Sequence, residues 1–182
     1  MKYDRRDFLM KMGVLYGSSA LLQTSCSSER SKYLVFTDNE ASCIIALCEQ
    51  LIPADHDAGA TDAGVIHYID RQTYLRFPRD LQVYQKGVAA LQATCNAEYG
   101  KKFEELDSSI QIEVMQNLER GRLSADYWEG INQQTFFNLM LNRTMQGFYG
   151  PPRHGGNKNY VSYRMLKLDY PLVVGQNRYR DE

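Results

Sequence analysis

From Thr37 onward the chain carries apolar stripes at helical spacing, separated by short polar or glycine-bearing breaks. Thr37-Asp38-Asn39-Glu40 has the form of a capping box, in which the threonine oxygen accepts a first-turn N–H and the glutamate reaches back. Ala41, Ile44, Ile45, Cys48, Leu51 and Ile52 follow on one face, and Pro53 ends the helix. Ala54 to Gly64 is small and polar and reads as a loop. A second helix is expected to start near Thr61 or Asp62, with Val65, Tyr68, Ile69 and Gln72 on one side. Phe77-Pro78 marks a boundary, proline being suited to a first helical turn. The third helix carries Leu81, Tyr84, Val88, Leu91 and Cys95 and ends at Tyr99-Gly100. The fourth runs from about Asp107 to Arg120, with Ile110, Val114 and Leu118 inward and Gly121 as its stop. The fifth is expected from about Ser124 to Gly147, with Trp128, Ile131, Thr135, Phe136, Leu139 and Met140 as its stripe and Tyr127 beside it. Only Tyr160 to Leu168 has the two-residue alternation of a short strand. The pattern predicts a single all-α domain of about five helices with an irregular C-terminal segment.

Composition narrows the class. The chain has 182 residues, 43% of them hydrophobic and 12% aromatic, enough for one packed core. With 21 Lys+Arg against 22 Asp+Glu, the net charge is −1. Nucleic-acid binding, which depends on concentrated basic charge, is not expected. No apolar run approaches the ~20 residues of a membrane-spanning helix.

The first residues read as an address. Lys2, Arg5, Arg6 and Lys11 form a basic start, and Met12 to Leu22 is a short apolar stretch. Arg5-Arg6-Asp7-Phe8-Leu9 resembles a twin-arginine export motif, with Arg5, Arg6, Phe8 and Leu9 carrying the signal. Leu22 to Ser28, with Ser25 before Cys26, resembles a lipoprotein processing site at which Cys26 is acylated. Plain cleavage near Ser25 is the alternative. Removing residues 1–25 takes away four basic and two acidic residues and moves the charge from −1 to −3. The expected divisions are therefore a signal over 1–25, a tether over 26–36, the helical domain over 37–175 and a polar tail over 176–182. Cys43 and Cys48 lie five apart on one helix, too far for a bridge. Cys48 and Cys95 fall on apolar faces, as core thiols do.

No dinucleotide, phosphate-loop, haem-attachment, Cys-x-x-Cys or nucleophile-elbow motif is present in the sequence. Asp55, His56, Asp57 and Asp62 could serve a hard cation, or the aspartates could cap the next helix. His67, in the second helix, reads as a half-buried surface group. The distinctive stretch is Met145 to Asn159. Gly147 and Gly150 bracket Phe148 and Tyr149, Pro151-Pro152 stiffens the exit, and Gly155-Gly156-Asn157 permits left-handed backbone. A docking surface made of Phe148, Tyr149, Gly150, Arg153, His154, Gly155, Gly156 and Asn157 is one reading. A tightly turned cap packed on its own helices is the other.

Two blocks carry a resemblance. Ala46-Leu47-Cys48-Glu49-Gln50-Leu51-Ile52-Pro53-Ala54-Asp55 with Gly59-Ala60-Thr61-Asp62-Ala63-Gly64-Val65 and Tyr68-Ile69-Asp70 is the first. Gly147-Phe148-Tyr149-Gly150 with Pro152-Arg153 and Gly155-Gly156-Asn157 is the second. In this order, behind a twin-arginine-like start, they resemble the small subunit (subunit 3) of bacterial membrane-bound gluconate 2-dehydrogenase and related FAD-dependent sugar dehydrogenases. The resemblance implies a non-catalytic chain with no cofactor of its own. Its partner would be a large flavoprotein of the glucose–methanol–choline oxidoreductase type, carrying FAD and passing electrons to a cytochrome or similar acceptor. It also implies help in folding and twin-arginine export, and a periplasmic, lipid-anchored location. A stand-alone envelope lipoprotein that binds a ligand or scaffolds a complex is an alternative. A metal-dependent enzyme using Asp55, His56, Asp57 and His154 is another.

Overall fold

The computed structural model describes residues 32–168, and the signal residues Arg5, Arg6, Phe8, Leu9 and Cys26 lie outside that range. Among the described residues there are six α-helices and no strand. They are α1 (Asp38–Leu51), α2 (Val65–Leu75), α3 (Asp80–Tyr99), α4 (Ser108–Glu119), α5 (Gln133–Tyr149) and α6 (Val161–Met165). Single 3-10 turns cover Phe103–Glu105, Ala125–Tyr127, Pro152–His154 and Lys158–Tyr160.

Local chemistry sets several boundaries as expected. The Glu40 N–H donates to Thr37 Oγ1 at 3.3 Å and the Thr37 N–H donates to Glu40 Oε2 at 2.8 Å, so the capping box is complete. Gly100 and Gly121 close α3 and α4 in left-handed backbone, at φ +67° each. The packing then follows the stripes. α1 lies centrally, against α2, α3, α4 and α5, and α5 crosses α2 and α4 as well. Ile44 and Leu47 of α1 meet a core that includes Ile69, Tyr84, Leu91, Phe103, Leu118, Phe136 and Met140. Gly87 lets α5 approach α3: a Cβ there would sit 2.2 Å from the Phe136 ring.

Four expectations are corrected. The fifth helix starts at Gln133, not near Ser124, because Gly130 turns the chain at φ +74° and the Asn132 side chain accepts the Thr135 N–H at 2.9 Å as a new cap. Trp128 therefore precedes the helix, and its buried indole N–H donates to Thr94 Oγ1 at 3.2 Å. The same helix continues past Gly147 to Tyr149. The second helix starts at Val65, since Gly64 takes left-handed backbone and separates it from the turn over residues 61–64. Tyr160 to Leu168 is not extended but holds α6.

The segment before α1 is more than a spacer. Phe36 is buried and meets Tyr84 edge-on, with ring centroids 5.3 Å apart. The N–H groups of Leu34 and Val35 donate to the two oxygens of Asp70 at 2.7 and 2.9 Å, and Tyr33 stacks on His67. Asp70, itself buried in α2, thus fastens the incoming chain to the domain.

Candidate functional site

The two distinctive sequence blocks each secure a loop to a helix end. In the first, the Glu49 carboxylate leaves the last turn of α1 and gathers three donors. Its Oε1 accepts the Ala54 N–H at 2.9 Å, and its Oε2 accepts the Thr61 N–H at 2.9 Å together with the Thr61 hydroxyl. Partial burial works against the charge, but the Thr61 hydroxyl and the two N–H groups outweigh it and hold Glu49 below the ordinary carboxylate range. Gly59 is required beneath this arrangement, since a Cβ there would lie 2.5 Å from Ala54 N and 2.6 Å from Glu49 Oε1. Asp62 accepts the Gly59 N–H at 3.2 Å and Asp55 accepts the Asp57 N–H at 2.9 Å, which are turn-forming roles. Among the described residues, no three His, Cys, Asp or Glu side chains are grouped as a metal ion would need. His56 and Asp57 instead line a cleft of about 370 Å³ with Arg164, Lys167, Val161 and Met165.

The second block closes the loop after α5. Gly147 brings α5 against α2, where a Cβ would come 3.0 Å from the Tyr68 ring and 3.1 Å from Val65. Gly156 then crosses directly over Gly147, and a Cβ on it would lie 2.1 Å from the Gly147 carbonyl oxygen. Asn157 is fully buried at φ +45°. Its Nδ2 donates to the Gly150 carbonyl and its Oδ1 accepts the Ser162 N–H, both at 3.0 Å. The Lys158 N–H donates to the Ala63 carbonyl at 3.0 Å, so the loop is tied to the start of α2 as well.

This geometry divides the residues expected at a partner surface. Phe148 is 0% exposed and belongs to the core, because it lies one turn beyond Thr144 on the inner face of α5. Gly156 and Asn157 are also buried, as the inside of the clasp. These three do not reach the surface. Tyr149 and Arg153 are exposed, and Gly150, His154 and Gly155 are half-buried.

The exposed members join residues the sequence did not single out. Arg71 Nη1 donates to the Arg153 carbonyl at 3.4 Å, placing the Pro152–His154 turn on α2. His154 has its pKa lowered by partial burial and then by the charges of Arg153, Arg71 and Arg76. Arg153 Nε donates to His154 Nε2 at 3.2 Å, and none of the three arginines has an acidic partner among the described residues. The same end of α2 presents Tyr74 and Leu75, 58% and 55% exposed, followed by the exposed Phe77. The Arg143 guanidinium lies 3.7 Å over the Phe77 ring and pairs with Asp80 at 2.8 Å. One sequence signal for this face exists: Ile131 to Leu168 contains five Lys/Arg and no acidic residue.

The three thiols among the described residues are inert by placement. Cys43, Cys48 and Cys95 are free and buried. Burial pushes Cys48 and Cys95 up to about 12 and Cys43 well above its usual range. Cys48 Sγ lies 3.2 Å from Thr144 Oγ1.

No curated protein and no solved structure matches the chain. The family model described as gluconate 2-dehydrogenase subunit 3 matches residues 38–169. That span takes in all six helices, the Glu49 latch and the Asn157 clasp. The chain therefore belongs to the gluconate 2-dehydrogenase subunit 3 family, whose name is that of a subunit of a dehydrogenase complex.

Proposed function

We propose that the chain is the non-catalytic small subunit of a FAD-dependent dehydrogenase complex acting on a sugar or sugar acid. It binds the large flavoprotein subunit and assists its folding. FAD resides in that partner, and a cytochrome or another acceptor takes the electrons. The Arg5-Arg6 signal takes the pair through the twin-arginine route to the periplasm, and acylated Cys26 anchors it there. The observation that carries this reading is the family match over residues 38–169. A supporting one is the exposed α2 end, where arginine and aromatic side chains of the kind enriched in protein interfaces stand together.

The test is a mild-detergent pull-down of the tagged full chain from its own cells, followed by an absorbance scan and mass spectrometry. The expected result is a co-eluting large subunit with a flavin spectrum. A lone, colourless chain overturns the reading in favour of a stand-alone envelope protein.

A further inference from the structure

Building on the small-subunit reading, we propose that the C-terminal end of α2 and the Pro152–His154 turn form the docking site for an acidic surface of the flavoprotein subunit. The first support is charge. Exposed Arg71 and Arg76 stand at the C-terminal end of α2. Arg71 Nη1 donates to the Arg153 carbonyl at 3.4 Å and Arg153 Nε donates to His154 Nε2 at 3.2 Å, and none of the three arginines has an acidic partner among the described residues. The nearest carboxylate along the helix, Asp70, is buried and already accepts two backbone N–H groups, so it does not offset them. Like charges held together in this way are relieved by carboxylates brought from outside.

The second support is chemical type. These three exposed cations are all arginines, whose planar forks suit bidentate pairing with carboxylates. They are interleaved with exposed Tyr74 and Leu75, so the surface offers apolar anchors inside a charged setting. The third support is rigidity. The turn bearing Arg153 is held between Pro151-Pro152 and the Gly155-Gly156-Asn157 clasp, with its carbonyl on Arg71. Side chains on a fixed platform lose less freedom on binding than side chains on a loose loop.

The experiment compares the full chain with two charge-reversed versions in the same pull-down. One is Arg71→Glu/Arg76→Glu/Arg153→Glu. The other is Lys101→Glu/Arg120→Glu/Arg122→Glu, which makes the same change in net charge at exposed positions on other elements. The expected result is at least a roughly tenfold loss of retained flavoprotein for the first version and none for the second. The wild-type complex should also weaken as salt rises above about 0.15 M, where exposed charges are screened. Circular dichroism melts of both versions confirm that each is folded, and the salt series on the wild type stands even if one is not. Equal flavoprotein retention by all three chains, insensitive to salt, overturns this docking face and leaves the small-subunit reading intact. So does an arginine version that keeps the flavoprotein but no longer sediments with phosphatidylglycerol vesicles, which reassigns the face to a membrane. A wild-type chain that retains no flavoprotein overturns both.

Discussion

Two loops of this domain, one after α1 and one after α5, are secured by different means. The loop after α1 is held by one carboxylate, Glu49, reaching out to Ala54 and Thr61. The loop after α5 is held by backbone crossing backbone at Gly156 and Gly147, with the Asn157 amide bridging the end of α5 and the start of α6. A side-chain latch can swing, exchange donors with water and respond to pH. A backbone crossing can do none of these and tolerates no added atom. The difference predicts a steep order of sensitivity.

Gly156→Ala is expected to be the most damaging change. Its methyl would lie 2.1 Å from the Gly147 oxygen and 2.8 Å from the Gly147 carbon, which are main-chain atoms with no rotamer to yield. A loss of about 4 kcal/mol or more is expected, read as a fall in urea midpoint or failure to fold. A melt within a few degrees of wild type would show that the two glycines do not cross. Asn157→Ala comes next, at about 2–4 kcal/mol, since it strands a buried carbonyl and N–H and puts alanine in left-handed backbone. Asn157→Gly keeps the backbone freedom and loses only the amide, so it should melt above the alanine variant. If the two melt together, the amide bonds alone matter.

Gly59→Ala tests the latch in the same way and is expected to lose about 1–3 kcal/mol. One of its two close contacts, Glu49 Oε1, is the end of a side chain and can move aside. Glu49→Gln is the mildest, at about 1 kcal/mol at neutral pH, because Glu49 is largely solvent-screened. Its pH dependence carries the sharper information. The folded pKa of Glu49 lies below the usual value of 4.5, so its contribution is full above that value and fades as pH falls through the lowered one. The melting difference between wild type and Glu49→Gln should thus be flat above about pH 5 and shrink under acid. A constant difference down to pH ~3 would mean that the charge on Glu49 contributes nothing.

The helices were legible where local chemistry decides them. Thr37 and Glu40 announce a helix start because both halves of the cap lie within one turn, and Gly100 and Gly121 announce stops because left-handed backbone favours glycine. Trp128 and Ile131 misled because their spacing continues the α5 stripe, while Gly130 and Asn132 break the helix between them and it. Phe148 misled in the opposite sense. Flanking glycines suggested a display loop, but Gly147 is a contact surface for α2 and Phe148 follows Met140 and Thr144 at four-residue steps into the core. The arginine cluster was hidden for another reason. Arg71 and Arg153 come from segments about eighty positions apart, and the turn after α5 brings the Arg153 carbonyl onto Arg71.

The Asp70 clamp has a mechanical consequence. Leu34 and Val35 hang on the two oxygens of one carboxylate, with Phe36 wedged into the core directly behind them. Any pull on the chain from upstream of Lys32 meets this paired grip before it meets α1. The load passes sideways into α2, and the first turn of α1, with its capping box, is spared the strain. An attachment upstream of Lys32 would therefore act on the domain through α2.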